Sequence, residues 1–165
     1  MSALCPPIVS DMCERTFTSH SADQTRAFGG RLAASLRQGS VVLLYGDLGS
    51  GKTTLAQGIV RSLGVNQWAN SPSFTLINEY DGRLRDNGAT PVRIYHCDFY
   101  RLSDPDELNT LALDDVLYSP GVALVEWPEI AEEWVPTDAM CVRLTRTGVE
   151  ERGIRVTGAT EFRAL

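Results

Sequence analysis

Short apolar runs alternate with polar and glycine-bearing turns along this chain. Ser21 followed by Gln24 is a capping-box signature, in which each side chain satisfies a free amide at a helix start. Phe28, Leu32 and Leu36 then recur at every fourth residue, an apolar helical stripe that Gly39 closes. Val41, Val42, Leu43, Leu44 and Tyr45 form a continuous apolar run, which predicts a strand buried on both faces. Leu55, Ile59, Val60 and Leu63 return to helical spacing, and Gly64 ends that helix. Residues 74–80 and 92–96 read as strands separated by a polar loop at 81–90. Asp104, Pro105, Asp106 and Glu107 gather a cap, a first-turn proline and acids at the positive end of a helix. Val122, Ala123, Leu124 and Val125 predict another buried strand, and residues 141–145 and 153–157 predict an antiparallel hairpin.

Strands alternating with helices point to an α/β fold: a mostly parallel central sheet flanked by helices, with the C-terminal antiparallel hairpin added. A chain of 165 residues with 43% apolar composition suits one domain, read here as 16–165. Residues 1–15, with Cys5, Pro6 and Pro7, read as a flexible N-terminal extension. They lack the basic stretch and long apolar stretch of a signal peptide. No run approaches the roughly 18 apolar residues of a membrane span. Cys5, Cys13, Cys97 and Cys141 form no C-x-x-C pair, so reduced thiols in a cytoplasmic protein are expected over a zinc site or disulfide framework.

The chemistry begins at the glycine-rich turn. Gly46-Asp47-Leu48-Gly49-Ser50-Gly51-Lys52-Thr53 fits G-x-x-x-x-G-K-[ST] at every required position, between a buried strand and a helix. Glycines let the backbone fold around a phosphate with its amides pointing inward, and the helix N-terminus adds a positive dipole end. Lys52 supplies a compact charge for β- and γ-phosphates, and the Thr53 hydroxyl suits Mg²⁺. The chain carries fourteen arginines and one lysine, and that lysine stands at this position. The fold is therefore expected to be a P-loop NTPase.

Such a loop needs acids to hold the metal and orient water. Glu126 follows the run ending at Val125, and Asp98 ends the run Ile94-Tyr95-His96-Cys97. Ligands in open α/β sheets bind at the carboxyl ends of strands, where both acids would lie. In an extended backbone His96, Asp98 and Tyr100 share one face, and Cys97 and Phe99 the other. Cys97 then reads as a small buried residue, and His96 as a hydrogen-bonded structural histidine. Asn70-Ser71-Pro72-Ser73-Phe74-Thr75 reads either as an ordinary loop entering a strand or as a switch segment whose hydroxyls sense a γ-phosphate.

Charge narrows the partners. The net charge is −6, which disfavours a protein that grips nucleic acid by charge alone. Residues 98–138 hold eleven acids against one base, Arg101. That band reads as a solvated face or as a docking surface for a basic partner.

Four segments together resemble the TsaE (YjeE) family: the phosphate loop through Thr54, then Ser71-Pro72-Ser73-Phe74-Thr75-Leu76, then His96-Cys97-Asp98-Phe99-Tyr100-Arg101-Leu102, then Val125-Glu126-Trp127-Pro128-Glu129. The H-x-D-x-Y-R and E-W-P segments make the resemblance specific. It implies a weak ATPase, using ATP and Mg²⁺, that serves threonylcarbamoyladenosine formation at tRNA position 37 alongside the TsaD and TsaB proteins. tRNA would be met only through that complex. The resemblance implies nucleotide contacts from Gly46, Asp47, Leu48, Gly49, Ser50, Gly51, Lys52, Thr53, Thr54 and Ser73. Thr53 and Glu126 would hold Mg²⁺, Asp98 would orient water or support the metal, and Trp127 would line the site. His20 and Arg152 would flank the adenine. Ser73 stands where the family usually has Thr, keeping the hydroxyl without the methyl. Two other readings stay open: a small-molecule kinase, with Arg83 and Arg85 on a mobile lid over 81–90, and a nucleotide-gated binding module with negligible turnover.

Overall fold

The two continuous apolar runs lie at the centre of the molecule. A computed structural model describes residues 13–158. In chain order these form β1 (Cys13–Ser19), α1 (Ala22–Leu32), β2 (Val41–Tyr45), α2 (Lys52–Ser62), β3 (Ile77–Arg83), β4 (Pro91–Asp98), α3 (Leu113–Leu117), β5 (Val122–Glu126), β6 (Met140–Arg146) and β7 (Arg152–Gly158). All seven strands join one sheet in the order β1-β7-β6-β2-β5-β4-β3. Every residue of β2 and β5 is buried, as expected of strands covered on both faces.

One layer packs α1 and α2 against the sheet through Phe28, Leu32, Leu55, Ile59 and Leu63, which meet Leu44, Ile94, Leu124 and Val142. Each such side chain contributes about 1.5–3 kcal/mol on full burial. The opposite layer joins Leu43, Tyr45, Cys97, Phe99 and Val125 to α3 and its neighbouring turns through Leu108, Leu113 and Leu117. The helices α1 and α2 touch backbone to backbone. A Cβ on Gly58 would lie 2.1 Å from the Arg26 carbonyl oxygen, and one on Gly29 would lie 2.4 Å from that of Leu55. Among the described residues, no helix is long and apolar enough to cross a membrane.

The expectation of a mostly parallel sheet needs correcting. Only β6, β2, β5 and β4 run parallel to their neighbours in the centre. The pairings β1 with β7, β6 with β7, and β3 with β4 are antiparallel. The β3–β4 connection contains no helix, and a parallel pair needs a longer crossover. β3 also starts three residues later than expected, at Ile77. Leu76 sits in the left-handed region (φ 65°) and its amide closes a turn onto Pro72 O at 2.6 Å.

Other boundaries shift for local reasons. Ser21 caps α1 by accepting from the Gln24 amide, as expected, but the α-helix ends at Leu32 and tightens into a 3₁₀ turn. Asp104 does form a capping box with Glu107, yet the helix it starts is 3₁₀ over Pro105–Leu111. The left-handed Ala112 (φ 47°) separates it from the five-residue α3. β1 takes in residues 13–15, part of the segment read as an extension; Cys5, Pro6 and Pro7 lie outside the described residues.

Candidate functional site

The glycine-rich loop leaves β2 at Gly46, where φ is +140°. A Cβ there would sit 2.3 Å from the Leu144 carbonyl oxygen, so close approach to β6 as well as conformation demands glycine. Gly51, at φ +104°, turns the chain into α2, whose first residue is Lys52. The amides of that first turn have no helical partners, and with the dipole they suit an anion. Ser50 lies buried under the loop and its Oγ has no hydrogen-bond partner. Leu48 projects outward, 73% exposed.

Lys52 is folded back on its own loop. Nζ donates to the carbonyl oxygens of Gly46 (2.5 Å) and Asp47 (3.0 Å) and lies 3.7 Å from the Trp127 ring centroid. Burial lowers its pKa, opposed by the nearby charges of Glu126, Glu129, Asp98 and Asp47. A phosphate would offer the ammonium far better acceptors than two backbone carbonyls.

The two strand-end acids stand side by side, because Asp98 and Glu126 are paired in the β4–β5 register. Both are almost fully buried. Glu126 Oε2 accepts from Thr53 Oγ1 at 2.9 Å, and Oε1 lies 2.8 Å from His96 Nε2. Asp98 Oδ2 accepts from the hydroxyls of Ser71 and of Ser73 (2.6 Å for the latter), and Oδ1 accepts from the Tyr100 amide at 3.0 Å. The segment holding Ser71 and Ser73 is thus tied to the acid at the end of β4.

These groups line one cleft of about 360 Å³. Its walls include Leu48, Gly49, Gly51, Lys52, Thr53 and Thr54 from the loop and α2, with Ser71 and Ser73 opposite. Asp98, Tyr100, Glu126, Trp127 and Arg152 complete it. Arg152 also reaches the loop, with Nη2 3.4 Å from Gly49 O. His20 is not among the lining residues: it is exposed and pairs with Glu151 at 2.7 Å, beside Arg152. Gly46 and Asp47 meet Lys52 through their carbonyls instead of lining the cleft.

A larger surface hollow, about 560 Å³, lies at the far end of α2 beside β3 and β4. Arg83 lines it and donates to Ala89 O, and Arg85 donates to Ser62 Oγ. Neither arginine lines the phosphate-loop cleft, so they form no lid over it. Sequence reasoning passed over Tyr100, whose ring lies 4.9 Å from that of Trp127 on the cleft wall. The alternation from His96 to Tyr100 carried that signal. Ser71, expected only as one hydroxyl of a loop or switch segment, instead donates to Asp98 alongside Ser73.

Chemically, the amides and Lys52 suit phosphate oxygens, and the Thr53–Glu126 pair offers hard oxygens to a small divalent cation. No group of three or more His, Cys, Asp or Glu among the described residues could cage a metal. A cation here would complete its shell with water and phosphate, as Mg²⁺ does beside nucleotides.

Comparison with known proteins covers most of the chain. The family model described as "Threonylcarbamoyl adenosine biosynthesis protein TsaE" matches residues 19–154. A Bacillus subtilis protein named tRNA threonylcarbamoyladenosine biosynthesis protein TsaE is 39% identical over 135 residues, covering 82% of this chain and 80% of its own. A Streptomyces coelicolor protein of the same name is 39% identical over 141 residues, covering 82% and 91%. The crystal structure of Bacillus subtilis YdiB superposes with a TM-score of 0.72 at 31% identity, covering 90% of this chain and 87% of that one. The match spans the phosphate loop, both strand-end acids and the start of the last strand, and the chain belongs to the TsaE family.

Proposed function

We propose that this protein takes part in forming threonylcarbamoyladenosine in tRNA, and does so as an ATP-binding, weakly hydrolysing accessory factor of P-loop type. The pathway follows from membership of a family named for it. The observation that carries the ATP reading is the meeting, in one cleft, of the loop and Lys52 with the Thr53–Glu126 pair and with Asp98.

Each residue then has a task. Lys52 exchanges the carbonyls of Gly46 and Asp47 for β- and γ-phosphate oxygens. The amides from Gly49 to Thr54 surround the phosphates at the start of α2. Thr53 and Glu126 hold Mg²⁺, which when bound neutralises charge on the phosphates. Asp98 orients the attacking water, and to do so it releases one or both serine hydroxyls. Ser73, once released, turns toward the γ-phosphate, so the 70–75 segment takes a different shape with ATP and after hydrolysis. Trp127 and Tyr100 close one wall, and Arg152 flanks the base with His20 at its edge.

The acidic band divides by burial, with Glu129 half-buried. Asp98 and Glu126 are buried in the cleft, whereas Asp104, Asp106, Glu107, Asp114, Asp115, Glu132, Glu133 and Asp138 face solvent. That outer set would repel tRNA and suits a basic surface on TsaD or TsaB, through which tRNA is reached. The deciding experiment is reconstitution of the modification with purified TsaD and TsaB, tRNA and ATP. Modification should depend on this protein and fail with Lys52→Ala. Equal modification by Lys52→Ala, with equal ATP binding, would sink the reading.

A further inference from the structure

His96 is fully buried in β4, yet it is wired into the site. Its Nε2 lies 2.8 Å from Glu126 Oε1, and its Nδ1 is buried without a partner. Glu126 Oε2 in turn accepts from Thr53 Oγ1 at 2.9 Å. The three side chains form one chain of hydrogen bonds from β4 through β5 to the first turn of α2.

Donor and acceptor chemistry sets the direction of each hydrogen bond. A carboxylate oxygen accepts, so Nε2 donates its hydrogen to Glu126 Oε1 and the Thr53 hydroxyl points its own hydrogen at Oε2. The hydroxyl lone pairs are thereby left for a cation in the cleft. Each carboxylate oxygen is held by a different donor, which fixes the plane of the Glu126 head group. A residue present only to fill space would leave no unpaired nitrogen in the core; an apolar side chain would fill it without that penalty.

We propose that His96 is a positioning residue: it holds Glu126 in the orientation that serves Mg²⁺ and, through Glu126, aims the Thr53 hydroxyl. This rests on the reading of Thr53 and Glu126 as the metal-holding pair. Groups that orient metal ligands commonly change metal affinity by 10–100-fold when removed.

The test uses Mn²⁺ as the probe for Mg²⁺, with a non-hydrolysable ATP analogue and electron paramagnetic resonance on the full chain. Nucleotide affinity in EDTA is measured beside it. His96→Leu should weaken Mn²⁺ binding by about 10–100-fold and leave metal-free nucleotide affinity within about twofold. His96→Gln places an amide nitrogen where Nε2 was and should recover Mn²⁺ affinity. His96→Asn places it where Nδ1 was and should behave like His96→Leu, which keeps the test decisive if the leucine variant misfolds. Equal Mn²⁺ affinity in all variants overturns the proposal, as does equal loss in Gln and Asn variants or a parallel loss of metal-free nucleotide binding. Wild-type protein that binds nucleotide but no Mn²⁺ overturns the metal reading itself, and the proposal with it.

Discussion

The ammonium of Lys52 lies 3.7 Å from the centre of the Trp127 ring. Trp127 is itself held in the left-handed region, at φ 56° and ψ 54°, by the turn that leaves β5. A bulky residue adopts that conformation only where its surroundings compel it. The ring therefore covers the lysine, and a phosphate taken up by Lys52 would separate the two or reorient both.

Tryptophan emission should report that separation. With Trp68→Phe and Trp134→Phe in place, the emission of Trp127 should change on adding ATP with Mg²⁺. Lys52→Ala should abolish the change and weaken ATP binding by about 10–100-fold, the range for lost charged hydrogen bonds. An unaltered emission titration in the alanine variant would contradict this pairing.

Affinity should also depend on pH through Lys52. Burial lowers its pKa below the ordinary 10.5, and phosphate oxygens would raise it again. ATP affinity should thus fall as pH rises through the lowered value, before an ordinary lysine would lose its proton. Protein stability without ATP should move the other way. The native state binds the proton less tightly than the unfolded chain, so this residue's penalty is present at low pH and relieved between the two pKa values. Calorimetric titrations of wild type and Lys52→Met across this range would compare the slopes; equal slopes would refute the assignment.

Asp98 is committed to two serine hydroxyls and the Tyr100 amide. Asp98→Asn should reduce single-turnover hydrolysis in the partner complex by about 10²–10⁴-fold, with ATP affinity nearly unchanged. If affinity falls as much as turnover does, Asp98 acts in binding and not on water.

Cys97 is fully buried beside Asp98, and burial pushes its thiol up to about 12. It should resist iodoacetamide in the native protein at mildly alkaline pH and react once the chain is unfolded. Peptide-resolved mass spectrometry separates it from the other three cysteines. Fast native labelling would show that β4 opens readily.

The crossing of α1 and α2 distinguishes two neighbouring kinds of glycine. Gly58→Ala would press a methyl on the Arg26 backbone and should lower stability by about 1–3 kcal/mol, or Tm by about 2–10 °C. Gly30→Ala meets nothing closer than 3.8 Å and should raise stability by up to about 1 kcal/mol. Scanning calorimetry should place the two variants on opposite sides of wild type.

The centre of the fold and the residues gathered at the cleft were legible in the sequence because both are local. The runs at Val41 and Val122, the glycine pattern, and acids at the ends of strands each occupy a few consecutive residues. The face alternation at His96, Cys97 and Asp98 carried through to the structure, with Cys97 in one apolar layer and His96 turned to Glu126. β1 escaped notice because Phe17 is the only large apolar residue in Cys13–Ser19, an edge strand whose pairing with β7 depends on residues far along the chain. The start of β3 was misplaced because a left-handed leucine at position 76 has no sequence signature. The wiring of His96 to Glu126 spans 30 positions, and neither residue alone announces it.

The place of β1 in the sheet has a consequence for biosynthesis. This strand is translated early, but among the described residues its only partner in the sheet is β7. On the ribosome it must wait, unpaired, until residues 152–158 emerge. Ser19 then comes to lie opposite Arg152, which brings His20 and Glu151 together at the rim of the cleft. The phosphate loop can be complete while the edge expected to receive the base is still missing, so that edge is finished last.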